Sequence, residues 1–181
     1  MKQVSRYFVT ITSLVLAICL VSPFVAGAEM VKKADNFIVV LDQSGSMAQA
    51  KAMPGEQKLD KAIAAVKRLD QAVPELGYTS SVSLFAPYKT VSQPATYKTG
   101  SIGSAAESFK PGFNSVTTLG DGLKAVAPAS SGKTALIMFT DGAWNAGVDP
   151  VGAAKNLYSQ NSDLCIHVVS YADTPEGQQT I

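Results

Sequence analysis

Phe37-Ile38-Val39-Val40-Leu41-Asp42-Gln43-Ser44-Gly45-Ser46 joins an unbroken apolar run to a cluster of oxygen-bearing side chains. A strand with one wet face alternates polar and apolar residues, whereas a continuous β-branched run marks a strand covered on both faces. Phe37 to Leu41 is therefore predicted to be a central strand. In extended backbone, residues two apart project to the same side, so Asp42, Ser44 and Ser46 send their oxygens one way. Gly45 permits the sharp turn that such convergence needs.

Outward from this stretch the pattern repeats. Leu59, Ile63, Val66, Leu69 and Val73 recur at helical spacing, and Pro74 ends that helix. Val82 to Phe85 reads as a second strand, and Thr90 to Thr99 as a short edge strand, because Pro94 cannot sit in the centre of a sheet. Ser104 to Lys110 and Leu119 to Ala127 read as short helices separated by a Pro-Gly-Phe-Asn loop. Ala135 to Phe139 is another buried strand, followed at once by Thr140-Asp141-Gly142. Asp149-Pro150 pairs an N-cap with proline at the first helical position, opening a helix to about Ser159. Cys165 to Ser170 is the last strand, and Thr174-Pro-Glu starts a final helix. Strands alternating with helices predict an α/β fold of three layers, a doubly wound and mostly parallel sheet with one short antiparallel edge strand. Ligands of such sheets bind beyond the carboxyl ends of the strands. The chemistry is expected after Leu41, Phe85, Phe139 and Ser170.

The first 28 residues differ from the rest. Lys2 and Arg6 precede the apolar centre Leu14 to Val21, Pro23 breaks it, and Ala26-Gly-Ala28 offers small residues for cleavage. This is the pattern of a cleavable secretory signal, with residues 29–34 as a short linker and 35–181 as the folded domain. Of the 15 Lys+Arg, two lie in this leader, while all 14 Asp+Glu lie beyond it, so the domain is nearly neutral. A surface for polyphosphate would need massed Lys and Arg, and nucleic-acid binding is excluded on that ground. With 46% apolar residues the chain can bury a core and is not disordered. Once Cys19 leaves with the leader, Cys165 is the sole thiol and no internal disulfide forms. Cys165 lies in an apolar run and reads as a buried inert thiol, and it and His167 of the same run read as structural residues, not zinc ligands.

Asp42, Ser44 and Ser46, the later Asp141 and the oxygen-rich loop Asn114-Ser-Val-Thr-Thr118 make a hard donor set without nearby Cys or His. Such oxygens suit Mg²⁺, with Mn²⁺ or Ca²⁺ able to stand in its place, and do not suit zinc or copper. Two carboxylates at most neutralise a divalent ion. The site then stays electrophilic, with room for an outside carboxylate.

Together Phe37–Ser46, Thr117-Thr-Leu-Gly-Asp-Gly-Leu123 and Ala135–Gly142 resemble a von Willebrand factor A-type domain. In that family an Asp-x-Ser-x-Ser element, a threonine from a middle loop and an aspartate after a later strand form a metal-ion-dependent adhesion site. The resemblance implies Asp42, Ser44, Ser46, Thr117 and Asp141 as metal ligands, with Thr118 the fallback for the threonine. It implies a binding module, not an enzyme, whose protein partner presents an Asp or Glu as the last ligand. An exported, periplasmic or cell-envelope location follows from the leader and the resemblance. The family's sheet continues after the strand that corresponds to Cys165–Ser170, so a piece of a longer protein is expected.

Plainer readings compete with these. Asp42 to Ser46 could be a polar turn capping the next helix, and Asp141 a simple turn residue before Gly142. Asp121 reads as a helix-start residue. Trp144 suits either a partner-binding rim, since aromatics anchor interfaces, or loop packing. Gly132-Lys133-Thr134 imitates a phosphate loop, but a true one runs from strand into helix and this one runs from helix into strand. An assembly domain of a longer envelope-anchored protein is one rival function, and a hydrolase using Ser44 or metal-activated water is the other. The hydrolase lacks an adjacent base and the Gly-x-Ser-x-Gly turn.

Overall fold

Five strands form one sheet in the order β3-β2-β1-β4-β5. They are β1 (Asn36–Asp42), β2 (Thr79–Phe85), β3 (Lys89–Thr96), β4 (Thr134–Thr140) and β5 (Leu164–Ser170). In this computed structural model residues 30–48, 57–108 and 116–181 are described. The expected signal segment lies outside them, as do Asn114 and Ser115. Lys32–Ile181 forms one compact unit, which holds the whole sheet. Residues 30–34 carry no regular secondary structure.

β1 pairs in parallel with β2 on one side and β4 on the other, and β4 pairs in parallel with β5. Only β3 runs antiparallel, against β2. Its ladder slips between Ser80 and Val82 and again between Val82 and Ser83, where the Ser92 hydroxyl accepts the Val82 N–H at 2.9 Å. Pro94 is thus accommodated on an irregular outer strand, as expected of a residue without a ladder donor.

The helices are α1 (Gly45–Ala48), α2 (Lys58–Ala72), α3 (Ser101–Glu107), α4 (Leu119–Val126), α5 (Pro150–Gln160) and α6 (Pro175–Thr180), with a 3₁₀ turn at Ala127–Ala129. Alternation along β1 divides the core. Phe37, Val39 and Leu41 join Leu59, Ala62, Val66, Ile102 and Ala106 of α2 and α3 in one cluster. Ile38 and Val40 join Leu119, Leu123, Val126, Ala153 and Leu157 of α4 and α5 in the other. The three layers are those expected. Asp149 caps α5 by accepting the Val151 and Gly152 N–H groups, and Thr174 caps α6 by accepting that of Gly177.

Two readings need correction. β2 begins at Thr79, three residues before the predicted Val82, because backbone pairing with β1 carries the small side chains of Ser80 and Ser81 into the interior. Cys165 is exposed, not buried, and His167 is exposed too. β5 is the outermost strand beside β4, and of its residues only Leu164 is fully buried. An apolar sequence run records what could be covered, not what is. The hydroxyl of Tyr158 on α5 accepts the Ile166 N–H at 3.0 Å, which occupies one backbone donor of this strand.

Candidate metal centre

The order of the sheet decides where a site can form. From β1 the chain moves to β2 on one flank, and β4 later returns on the other, so the connections diverge at the carboxyl ends of β1 and β4. That divergence opens the crevice where doubly wound sheets hold ligands. Leu41 lies opposite Phe139 across the ladder, which brings Asp42 and Thr140 side by side.

Asp42 is 0% exposed and Asp141 2% exposed. The Asp42 carboxylate accepts the Ser44 N–H at 2.8 Å on Oδ1 and the Thr140 hydroxyl at 2.6 Å on Oδ2. Each carboxylate oxygen carries a second lone pair, so both oxygens retain acceptor capacity. The Ser44 and Ser46 hydroxyls are 3.0 Å apart, and Ser46 Oγ donates to Asp141 Oδ1 at 3.2 Å. Asp141 Oδ1 also accepts the Ala143 N–H at 3.2 Å. Ser44 and Ser46 do come together beside Asp42, but not through extended backbone as expected, because Ser46 already stands on α1; Asp141 meets Ser46 from the end of β4.

Thr117 is tied to the loop after Asp141, not to the oxygen cluster itself. Its N–H donates to Asn145 Oδ1 at 2.8 Å, while its carbonyl accepts the N–H groups of Asn145 and Ala146. Thr117 is buried, and the loop that carries it is tied to the loop four residues after Asp141. Trp144 stands in that same loop and is 39% exposed. Asp121 lies in the first turn of α4, consistent with its reading as a helix-start residue. Gly132-Lys133 leads into β4, the wrong order for a phosphate loop, and Lys133 is exposed.

Electrostatics explain why these groups want a cation. Burial pushes the Asp42 carboxyl above its ordinary range. Hydrogen bonds from Thr140 and Ser44 oppose that rise, and the charge of Asp141 adds to it. A carboxylate withdrawn from water, like that of Asp42, is costly to ionise unless a positive charge joins it. Among the described residues no three of His, Cys, Asp and Glu gather into a metal-holding group, so any ion held here depends on hydroxyl oxygens as well. Two carboxylates with serine and threonine hydroxyls fit a hard divalent cation.

Four residues of this neighbourhood escaped the sequence reading. Thr140 could have been found, since a hydroxyl directly before Asp141 at a strand end is a visible signal. Asn145, Lys58 and Asp173 could not, because their roles arise only from tertiary contact. Lys58 Nζ lies 2.8 Å from Asp141 Oδ2 and 2.5 Å from Asp173 Oδ1. Burial alone would lower the Lys58 pKa, but the hydrogen bonds and charges of Asp141 and Asp173 outweigh it and the net direction is upward. Gln43, between Asp42 and Ser44, donates to the Pro87 carbonyl at 2.8 Å and ties this turn to the segment after β2.

No protein-family model matches the sequence, and no curated protein matches it. Solved structures do. Proximal thread matrix protein 1 from the mussel byssus aligns at TM-score 0.66 and 21% identity, covering 82% of this chain and 41% of that one. A second structure of that protein has a zinc-occupied MIDAS motif, the metal-ion-dependent adhesion site, and aligns at TM-score 0.63 and 21% identity, covering 76% and 38%. An aerotolerance-related membrane protein from Bacteroides fragilis aligns at TM-score 0.60 and 24% identity, covering 75% of this chain and 66% of that one. The VWA domain of SpRpn10 aligns at TM-score 0.57 and 13% identity, covering 82% and 80%. The chain spans less than half the length of the mussel protein. With the sheet order, the two helical layers and these alignments in hand, the fold of this chain is that of a von Willebrand factor A-type domain.

Proposed function

We propose that this chain is a divalent-metal-dependent protein-binding module, serving adhesion or assembly, with Asp42, Ser44, Ser46, Thr117 and Asp141 as the metal ligands. The observation that carries the reading is the chain of contacts Ser44 Oγ to Ser46 Oγ at 3.0 Å and Ser46 Oγ to Asp141 Oδ1 at 3.2 Å, beside the fully buried Asp42. Oxygens from two strand ends are already within ligand-sharing distance of one another. When bound, a hard divalent ion would supply the positive charge that attracts a carboxylate from a partner. The chain's own residues do the rest. Asp42 and Asp141 provide the negative charge, and Ser44, Ser46 and Thr117 add neutral oxygens that leave charge on the ion. Thr140 and the Ser44 N–H hold the Asp42 carboxylate in position. Trp144, partly exposed on the adjoining loop, would form the rim against which the partner's Asp or Glu docks.

Mg²⁺ is the ion favoured by two carboxylates, several hydroxyls and open positions, with Mn²⁺ or Ca²⁺ able to take its place. The zinc in the mussel protein's MIDAS motif supports divalent binding by the fold, not a preference for magnesium. We read the chain as exported, periplasmic or attached to the cell envelope, on the strength of its leader. No helix among the described residues is long and apolar enough to cross a membrane. The hydrolase alternative finds little support. The sole histidine, His167, pairs with Ile137 in mid-strand, away from the carboxyl end and so out of reach as a base for Ser44.

Thermal melting tests the proposal. Mg²⁺ or Mn²⁺ should raise the melting temperature of the EDTA-treated protein, since a ligand of the folded state stabilises it by mass action. An unchanged melting curve at millimolar metal would refute it.

A further inference from the structure

Lys58 is the first residue of α2, where the helix dipole disfavours a cation. Helix stability therefore does not account for its position. Its side chain is 16% exposed and its ammonium bridges Asp141, on the loop after β4, to Asp173, on the loop after β5. Asp141 is divided between two tasks: Oδ1 accepts from Ser46 and Ala143, and Oδ2 accepts from Lys58.

Resting on the metal-binding reading above, we propose that Lys58 is a resident cation that shares Asp141 with the metal and so sets the strength of the site. Asp42 and Asp141 together offer two negative charges. Lys58 offsets one of them, and a divalent ion entering the site meets a field weakened by its own kind of charge. Asp173 works in the opposite sense, because it draws on the same ammonium and frees part of Asp141. The arrangement makes metal binding weaker than the ligand set alone would give. It also leaves more positive charge at the site for a partner carboxylate.

Calorimetric titration of the EDTA-treated full chain with MnCl₂ decides this. Lys58→Met should bind Mn²⁺ about tenfold more tightly, Lys58→Arg should stay near wild type, and Asp173→Asn should bind several-fold more weakly. A lysine with a purely structural role predicts the reverse for Lys58→Met, a loss of affinity as Asp141 becomes disordered. Unchanged or weaker binding by Lys58→Met, with the wild type binding normally, overturns the proposal and leaves the metal site standing. Absence of Mn²⁺ binding from wild type and Lys58→Met alike overturns both. If melting shows that Lys58→Met does not fold, Asp173→Asn decides, and unchanged or tighter binding by it overturns the proposal.

Discussion

At the scale of single residues, metal binding depends on which oxygens are replaceable. Asp42 is buried and held by two donors, so Asp42→Ala removes a charge that no neighbour supplies. We predict that Asp42→Ala and Ser44→Ala abolish the metal-induced rise in melting temperature, which at a hundredfold excess over Kd corresponds to about 2.7 kcal/mol. Retention of the shift in Asp42→Ala, measured by calorimetry, would remove that residue from the ligand set. These positions were legible from the sequence because an Asp-x-Ser-x-Ser segment directly after a buried strand is a local feature, although Ser46 turns out to sit on α1 and not in extended backbone. Lys58 was not, since its partners Asp141 and Asp173 are 83 and 115 residues away. Cys165 was misread for a related reason: hydropathy does not report which strand of a sheet is last.

Between elements, close approaches set the tolerance of the fold. A β-carbon added at Gly122 on α4 would overlap a ring carbon of Phe85, itself fully buried at the end of β2. Gly122→Ala should destabilise the protein by about 1–3 kcal/mol, the usual cost of overpacking, and urea denaturation would show it as a lower midpoint. Gly142 has φ +72°, and its added β-carbon would lie 2.5 Å from the Gly177 carbonyl, so α6 rests directly on the backbone that carries Asp141. The clamp between α2 and α3 has a chemical signature. Tyr97 Oη donates to Asp70 Oδ1 at 2.9 Å, and the Gly103 N–H donates to Asp70 Oδ2 at 2.8 Å. Burial, with the Asp70 hydrogen bond and charge adding to it, pushes the Tyr97 pKa up to about 12. Above pH 10 the unfolded chain loses this proton while the folded one keeps it, so stability should fall as pH rises from about 10 towards 12. Tyr97→Phe should abolish that part of the alkaline loss, at a cost near neutral pH of about 1–2 kcal/mol. An identical slope of stability against pH in the variant would contradict this assignment. The helices and strands themselves were readable from periodicity and proline stops, whereas these clamps join residues that only the topology brings together.

Across the whole molecule, the position of the candidate site follows from the reversal of strand order at β1. Because β2 and β4 flank β1 on opposite sides, the loops after β1 and β4 meet over one crevice, and the Thr117 loop is stitched to the second of them. Strand and helix alternation made this architecture legible. Which oxygens meet was legible only in part, because Asp42, Ser44 and Ser46 lie in one short segment while Asp141 reaches Ser46 through the folded topology. The domain is nearly neutral in net charge, and the proposed function rests on the local charges of this crevice. The most direct test is a crystal soaked in manganese and measured near the manganese absorption edge. A metal centre at this crevice predicts a single anomalous peak bounded by oxygens of Asp42, Ser44, Ser46, Thr117 and Asp141. A crevice without such a peak, or one in which these side chains point away from a common centre, would contradict it.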